Sequence, residues 1–405
     1  MTIGVGGVKQ EQALAELTNM TGSVKAIELS EYKARLTKAQ GLIRENGLEA
    51  LYINAGTNLH YFTGTRVPPS ERMIGAILPA EGDLIYICPS FEIETLKGFI
   101  QIEGDIRGWE EHECSYTLVV ELLKEIGINS GKIGIDESAS FFLSDGLANA
   151  GPDYSFTSAK AVTAGCRVCK SENELALLQK AKDMTIEVHK ATAKILVEGI
   201  TTHEVKKFIH EAHIKVGATA GSSFCIVLFG VDSSFPHGVN NPNPLKANDV
   251  VLIDTGCLIE GYNSDITRTY IFGEPNERQR EMWSIEKEAQ AIAFNAAQLG
   301  TPCGDVDTAA RDYLTSRGLG PGYNVPGCPH RTGHGVGLDI HEWPYLVKSD
   351  RTPLQVGMCF SNEPMLVLPD EFGIRLEDHF YMSKNGPKWF SEPAHSIDDP
   401  FGYEA

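Results

Sequence analysis

Residues 250–271, VVLIDTGCLIEGYNSDITRTYI, decide the fold of the second half of the chain. An apolar strand ends in Asp254, and Asp265 opens a second strand of alternating apolar and polar residues. The segment EGYN at 260–263 is typical of a turn, so we expect a hairpin with both aspartates near its mouth. Neighbouring buried carboxylates repel each other unless a cation or proton joins them. The alternative, of about equal weight, is that one aspartate caps a turn and the other is solvated.

A histidine-containing stretch, RTGHGVGLDIHEWP, follows at 331–344. Glycines on both sides of His334 allow close backbone approach, which would leave its imidazole accessible. A lone histidine in such a loop is more often a turn or core residue, so His334 taken singly favours no ligand role. His341 lies seven residues further on and is expected to line the same cavity.

Two more carboxylates end the series of candidates. Glu363 ends the apolar run MCFSNEP, and in GIRLEDH at 373–379 the alternation places Arg375 and Glu377 on one strand face. Together the segments offer two Asp, two Glu and one His, and four carboxylates would balance two divalent cations. Oxygen-rich donors with one imidazole suit Mn, Co, Fe or Zn. Two such ions about 3.5–4 Å apart can share and activate a hydroxide and polarise a carbonyl.

The order of predicted elements indicates two domains. In the first part short apolar strands alternate with helices, which predicts an α/β domain after a loosely held arm of about 28 residues. The boundary falls near 160–170. Beyond it, capping boxes at Ser171 and Thr201 begin two helices, and two more helices are predicted at 276–299 and 305–317. Strands at 358–368 and 373–382 end the chain, so the second part reads as α+β with a mostly antiparallel sheet.

Composition limits the classes of partner. The 405 residues include 35 Lys+Arg and 54 Asp+Glu, and the resulting formal charge of −19 argues against nucleic acid or anionic membrane as main partner. No apolar run approaches the roughly 20 residues of a membrane helix, and the N-terminus has no signal-peptide pattern. Nine cysteines in such a chain are expected as thiols. These features predict a cytoplasmic protein.

Five motifs in order make the last 240 or so residues resemble the pita-bread metallopeptidases, in the branch of Xaa-Pro dipeptidase (prolidase) and Xaa-Pro aminopeptidase. They are FPHG at 235–238, VVLIDTG at 250–256, YNSDITRT at 262–269, TGHGVGLDIHEWP at 332–344, and NEP followed by GIRLED ending at 378. AGTNLHYFTG at 55–64 resembles the creatinase-type N-terminal domain of the same proteins. The resemblance implies a creatinase-type α/β domain over 1–165 and an α+β pita-bread catalytic domain over 166–405.

The resemblance also implies the role of each candidate residue. The metal ligands would be Asp254, Asp265, His334, Glu363 and Glu377. Asp265 and Glu377 would bridge two ions, and Glu363 would also take and return the proton of the bridging water. His237 and His341 match histidines that contact the scissile carbonyl oxygen and the substrate. Arg375 matches an arginine that orients ligands.

The expected enzyme is therefore a metallo-exopeptidase that hydrolyses the bond before proline, mainly in Xaa-Pro dipeptides, by attack of a metal-bridging hydroxide. Manganese is the expected metal, with cobalt, zinc or iron as alternatives, and the resemblance implies a homodimer. An Xaa-Pro aminopeptidase acting on longer peptides stays open, because the arginine that binds the dipeptide carboxylate has no certain counterpart; Arg351 lies in roughly the right loop. Creatinase-like or ectoine hydrolase-like hydrolysis and dimethylsulfoniopropionate lysis on the same fold are further alternatives.

Overall fold

The computed structural model describes residues 1–404, which divide into two compact units. The smaller unit comprises residues 27–167, and the larger one combines residues 1–26 with the chain from Val168 onward. The predicted domain boundary lies two residues before this division, while residues 1–26 group with the larger unit rather than the smaller one. Within residues 1–404 every helix is too short or too polar to cross a bilayer.

The smaller unit is an α/β domain, as predicted. Its strands are β1 (Ala50–Asn54), β2 (Gly75–Pro79), β3 (Ile85–Pro89), β4 (Asp105–Trp109), β5 (Gly131–Ile135) and β6 (Tyr154–Ser158). Its helices are α2 (Leu29–Glu45), α3 (Thr57–Thr63), α4 (Ile93–Phe99), α5 (Ser115–Glu125), α6 (Phe141–Ala150) and α7 (Lys160–Arg167). The strands form one mixed sheet in the order β4-β3-β2-β1-β5-β6, antiparallel at β1–β2 and β2–β3 and parallel elsewhere. Intervening helices make the crossovers that parallel strands require.

The larger unit is α+β, and all its strand pairs are antiparallel. Its helices are α1 (Gln10–Glu16), α8 (Glu172–Lys194), α9 (Thr202–Val216), α10 (Glu277–Ala296) and α11 (Cys303–Ser316). Its strands are β7 (Phe224–Phe229), β8 (Val250–Gly256), β9 (Leu258–Ile259), β10 (Tyr262–Asn263), β11 (Ile266–Ile271), β12 (Gly333–Gly335), β13 (Glu342–Leu346), β14 (Cys359–Asn362), β15 (Met365–Leu368), β16 (Phe372–Arg375), β17 (Asp378–Ser383) and β18 (Gly386–Trp389). They form the sheets β11-β8-β7 and β13-β12-β14-β17-β18 and the pairs β9–β10 and β15–β16.

Local signals place helices α8 and α9 where the sequence predicts them. Ser171 and Thr201 each accept a hydrogen bond from the N–H of the glutamate three residues on, and that glutamate accepts one in return. Gly217 ends α9 with φ 110°, a left-handed conformation that glycine adopts without strain. These interactions involve only neighbours in sequence, which is why they could be predicted.

The prediction of a loosely held N-terminal arm is wrong. The N–H of Gly6 donates to the carbonyl of Ala193 at 2.8 Å, and the N–H of Met20 donates to the carbonyl of Val216 at 2.9 Å. Both carbonyls belong to the last turns of α8 and α9, where a helix leaves its carbonyls without internal partners. The seven-residue helix α1 buries a single alanine, so its sequence carried almost no apolar periodicity.

The hairpin that was predicted from residues 250–271 is present, with β7 on the far side of β8. Thr267 of β11 lies opposite Asp254, and Asp265 directly precedes β11. The turn between β9 and β10 is formed by Glu260 and Gly261, whose φ values of 51° and 88° are the two positive angles of a type I′ turn. The register therefore sets both aspartates at the same end of the sheet.

The C-terminal strands differ from the prediction, because each predicted strand is divided in two. Strand β14 ends before Glu363 and Pro364, and proline has no N–H to continue the ladder. Glu377 lies between β16 and β17, which belong to different sheets. Both glutamates thus lie at breaks between strands, where their side chains are free of the alternation of a continuous strand.

Candidate metal centre

The hairpin brings Asp254 and Asp265 into one buried cluster. Asp254 Oδ2 accepts a hydrogen bond from Arg375 Nη2 at 2.5 Å, while its Oδ1 is buried without a hydrogen-bond partner. Asp265 Oδ1 is likewise buried and without a partner. Buried polar atoms are nearly always hydrogen-bonded, so two such oxygens from neighbouring aspartates need an explanation.

His334 is placed by the short strand β12. A Cβ at Gly333 would lie 2.1 Å from the carbonyl oxygen of Ser361, so only glycine allows these strands to approach. The carbonyl of Gly335 accepts from Nδ1 of His334 at 3.0 Å, which turns Nε2 toward the carboxylates. Nε2 lies 3.1 Å from Glu363 Oε1 and 3.6 Å from Oδ2 of Asp265.

Glu377 and Arg375 complete the cluster from the break between β16 and β17. Thr267 Oγ1 donates to Glu377 Oε2 at 2.7 Å, while Oε1 of the same carboxylate is buried without a hydrogen-bond partner. Arg375 Nε donates to that Thr267 hydroxyl at 3.0 Å, so one guanidinium reaches both Thr267 and Asp254. Arg375 and Glu377 do not share one strand as predicted, because β16 ends at Arg375 and Glu377 lies before β17, but both side chains line the same cavity.

The cluster places four carboxylates close together in a buried site, where water cannot stabilise their negative charges. Burial raises the pKa of Asp254 and of Glu377 well above the usual range, and repulsion by Asp265 adds to both shifts, while Arg375 opposes them. Burial lowers the pKa of His334, but the neighbouring carboxylates of Asp265 and Glu363 outweigh that effect and raise the pKa to about 10. Protons or cations are therefore strongly favoured among these side chains.

The cluster opens into a cavity of about 470 Å³. All eight predicted site residues line it: His237, Asp254, Asp265, His334, His341, Glu363, Arg375 and Glu377. The rings of His334 and His341 have centroids 4.0 Å apart. The side chains of His237 and His341 are exposed at the cavity, which is the position that a substrate contact requires.

Several lining residues were missed by the sequence analysis. His330 lies four residues before His334, and its Nε2 is buried without a hydrogen-bond partner. Arg331 lies at the rim, with Nη2 3.4 Å from His341 Nδ1 and its guanidinium 4.4 Å from the ring centre of Tyr345. Both precede the motif around His334 directly, and that adjacency was the available signal. Arg351, by contrast, is 64% exposed and pairs with Asp305 rather than lining the cavity.

The apolar part of the wall was also missed. It is formed by Phe224, Ile226, Ile340 and Val347, with Tyr323 beside them. Phe224 and Ile226 are alternate residues of β7 and so face the same side of the sheet. The cavity therefore has a charged floor and an apolar side, which suits a small, partly apolar ligand with polar groups at one end.

The donor set fits divalent cations. Buried oxygens without partners occur on Asp254, Asp265 and Glu377, and the ligand atoms of His334, Glu363 and Glu377 lie within 4.8 Å of one another. Four carboxylates and an imidazole converge here. The guanidinium of Arg375 pairs with one of these carboxylates, that of Asp254. Carboxylate oxygen with imidazole nitrogen is the donor chemistry of first-row divalent ions.

Several known proteins are similar to this chain in both sequence and fold. The crystal structure of dipeptidase PepE from Mycobacterium ulcerans is 32% identical with a TM-score of 0.84, covering 92% of this chain and 99% of that one. Prolidase from Thermococcus sibiricus is 28% identical with a TM-score of 0.82, covering 91% and 98%. A Bacillus subtilis protein that bears the name "Putative dipeptidase YkvY" is 32% identical over 357 residues, or 87% of this chain and 96% of the relative.

Family models match both parts of the chain. The creatinase/prolidase N-terminal domain matches residues 35–169, and metallopeptidase family M24 matches residues 176–384. These matches and the structural neighbours confirm the predicted pita-bread fold with its creatinase-type domain, and they confirm the predicted class of metallo-exopeptidase. Membership also implies divalent metal ions, for which the cluster supplies suitable donors. The chain belongs to metallopeptidase family M24.

Proposed function

We propose that this peptidase hydrolyses the bond before proline in Xaa-Pro dipeptides and that it does so with two divalent metal ions. The observation that carries the proposal is the buried cluster of four carboxylates and one imidazole, with partnerless oxygens, at the floor of a cavity of about 470 Å³. Two ions would neutralise the four negative charges. The same neutralisation would remove the cost of burying them.

The five ligands divide between the ions in this proposal. Asp265 and Glu377 would hold both ions, and Asp254 would hold one of them. His334 and Glu363 would hold the other ion, in keeping with the 3.1 Å between their ligand atoms. When bound, the two ions lower the pKa of an attacking water and polarise the scissile carbonyl.

Glu363 is proposed as the group that moves the proton. It is 12% exposed, so it lies at the boundary between the floor and the open cavity. Its Oε1 accepts a hydrogen bond from Ser361 Oγ at 3.1 Å, which orients the carboxylate. A carboxylate so placed can take a proton from the attacking water and return it to the leaving proline nitrogen.

His237 and His341 are proposed to bind the carbonyl oxygen of the substrate. Both are exposed at the cavity, and an imidazole N–H donor there would stabilise the negative charge that develops on that oxygen. Arg375 is proposed to orient Asp254, to which it donates directly, and to balance the charge of the floor.

The proline ring and the free carboxylate would be recognised by the wall. Phe224, Ile226 and Val347 offer apolar surface for a pyrrolidine ring, which has no N–H to satisfy. Arg331 offers a guanidinium at the rim, suited to bind a carboxylate in two hydrogen bonds. A dipeptide brings that carboxylate directly after the proline, whereas a longer peptide does not, so Arg331 favours the dipeptidase over the aminopeptidase.

The test is a substrate panel with protein that has been stripped of metal and reloaded with Mn or Co. Stripped protein should be inactive, and reloaded protein should cleave Xaa-Pro dipeptides faster than Xaa-Pro tripeptides or dipeptide amides. Arg331→Ala should raise KM for dipeptides by about 10-fold or more with little change for the amides, since loss of a charge-assisted pair costs about 1.5–3 kcal/mol. The exposed Arg351→Ala is the matched control and should leave both KM values unchanged.

Other outcomes of the panel would replace the proposal. Preference for tripeptides would indicate an Xaa-Pro aminopeptidase. Turnover of creatine, an ectoine or dimethylsulfoniopropionate without any Xaa-Pro cleavage would indicate another reaction on this fold. Manganese as the native metal, a homodimer, a cytoplasmic location and domain limits of 1–165 and 166–405 stay predictions from the resemblance, for metal analysis of purified protein, light scattering, cell fractionation and limited proteolysis to test.

A further inference from the structure

His379 is a buried imidazole beside the cluster to which the proposed mechanism gives no role. It lies in β17 with no exposed surface, and neither of its ring nitrogens has a hydrogen-bond partner. Its Nε2 is 3.6 Å from Glu377 Oε1, too far for a hydrogen bond, and that oxygen is partnerless as well. Leaving such buried groups unpaired destabilises the folded protein.

A third donor reaches the same point. Ligand atoms of Asp265, Glu377 and His379 all lie within 4.8 Å of one another, and all three residues are buried. Asp265 contributes a further partnerless oxygen there. Two carboxylates and an imidazole nitrogen around one point, with no hydrogen bond among them, form a set of donors that a cation would satisfy.

The backbone around His379 is fixed by neighbouring strands. His379 lies opposite Ser361 in the pairing of β14 with β17, and its carbonyl accepts a hydrogen bond from the N–H of Phe390 at 2.9 Å. Glu377 lies just before β17 and two residues before His379, and the side chains of the two residues approach each other to 3.6 Å. The imidazole is therefore held in place before any ligand binds.

The two imidazoles of the site approach different carboxylates. His334 Nε2 lies closest to Glu363, whereas His379 Nε2 lies beside Glu377, and their ring centroids are 6.3 Å apart. We propose that His379 Nε2 is a sixth protein ligand of the metal centre, binding one of the ions that Asp265 and Glu377 would share. This inference rests on the proposed dinuclear centre but adds a donor to it.

A second imidazole changes which metals the centre prefers. Carboxylate-only surroundings suit Mn²⁺, whereas imidazole nitrogen shifts preference toward Zn²⁺, Co²⁺ and Fe²⁺. With His379 the centre would have two histidine nitrogens instead of one. It should then bind zinc more tightly than a centre with a single histidine would.

X-ray absorption fine structure of the full-length protein loaded with Zn²⁺ tests the proposal directly, because imidazole ligands give a recognisable multiple-scattering pattern. We expect two imidazoles per chain in the wild-type protein and one in His379→Gln. Competition with a chelator should show that the variant binds one of its two zinc ions at least 10-fold more weakly, a loss at least as large as that of an outer partner. These readouts do not depend on activity.

His189→Gln is the matched control, since His189 is another fully buried histidine of the same unit. Its Nε2 pairs with the carbonyl of Ile266 at 2.9 Å, and it belongs to none of the clusters of potential metal ligands among residues 1–404. It should keep both the imidazole count and zinc affinity. Two bound zinc ions with a single imidazole in the wild-type protein would overturn this inference alone, and absence of zinc binding would overturn the dinuclear centre with it. The wild-type spectrum decides even if His379→Gln does not fold.

Discussion

Asp307 and Asp254 are both buried aspartates of the larger unit, yet their surroundings are opposite. Asp307 Oδ1 accepts hydrogen bonds from the hydroxyl of Thr332 at 2.8 Å and from Arg311 Nε at 3.0 Å, and its Oδ2 accepts from the N–H of Lys348 at 3.1 Å. Asp254 Oδ2 accepts a hydrogen bond from Arg375, and its Oδ1 has no hydrogen-bond partner among residues 1–404. Both oxygens of Asp307 are therefore occupied by hydrogen bonds within the protein, whereas one oxygen of Asp254 is available to bind a ligand.

The difference distinguishes a residue that stabilises the wall of the cavity from one that is proposed to bind metal there. Arg311 donates to the carbonyls of Gly322 and Cys328, so the Asp307–Arg311 pair ties α11 to the loop that carries Tyr323 and His330. A carboxylate such as Asp307, both of whose oxygens accept hydrogen bonds, stabilises the wall of the cavity. A carboxylate such as Asp254, which has an oxygen without a hydrogen-bond partner, can bind a cation. Its neighbours Asp265 and Glu377 also have such an oxygen.

The largest expected effect comes from removing the charge of one carboxylate that has a partnerless oxygen. Asp265→Asn leaves one neutral oxygen where two carboxylate oxygens stood, so we expect loss of bound metal and a fall in kcat/KM well beyond the 10- to 100-fold typical of an outer partner. Metal content per chain and dipeptide hydrolysis measure both effects. Retention of two ions per chain in the variant would refute the assignment of Asp265 to both ions.

Asp307→Asn should give the reverse pattern. The change leaves the buried guanidinium of Arg311 without its counter-charge, and removal of one partner of a buried pair costs about 3–5 kcal/mol. We expect a lower unfolding midpoint for the metal-loaded protein by calorimetry, with two ions per chain retained. Loss of metal without loss of stability would mean that Asp307 belongs with the ligands and would end the distinction.

Sequence reasoning found the residues whose setting is local. Asp254 ends an apolar strand and His334 stands between glycines, and such patterns are visible within ten residues. It could not find the Asp307–Arg311 pair, because the meaning of Asp307 depends on Thr332 and Lys348, 25 and 41 residues away. The same holds for which oxygens are left without partners. The N-terminal segment was misjudged for a related reason, since backbone hydrogen bonds rather than side-chain periodicity hold it.

Glu286 offers the finest test of the comparison, because its carboxylate also lacks hydrogen-bond partners but lies outside the clusters of potential ligands among residues 1–404. It is a buried residue of α10, and neither of its carboxylate oxygens has a hydrogen-bond partner. It belongs to none of the three clusters of potential metal ligands among residues 1–404. If its position outside these clusters is what separates Glu286 from the ligands, its buried carboxylate should destabilise the folded protein, and no bound cation should offset that destabilisation.

Burial raises the pKa of Glu286 well above its usual value. The folded state therefore keeps a proton that the unfolded state releases above its own pKa of about 4.3, so stability falls as pH rises from there toward the folded pKa. Glu286→Gln removes this loss, and we expect it to stabilise the metal-loaded protein by about 1–3 kcal/mol at pH 7 but not at pH 4. The exposed Glu288→Gln of the same helix should change neither value. Destabilisation at pH 7 with loss of metal would instead place Glu286 in the centre, and partnerless oxygens alone would then suffice to identify a ligand.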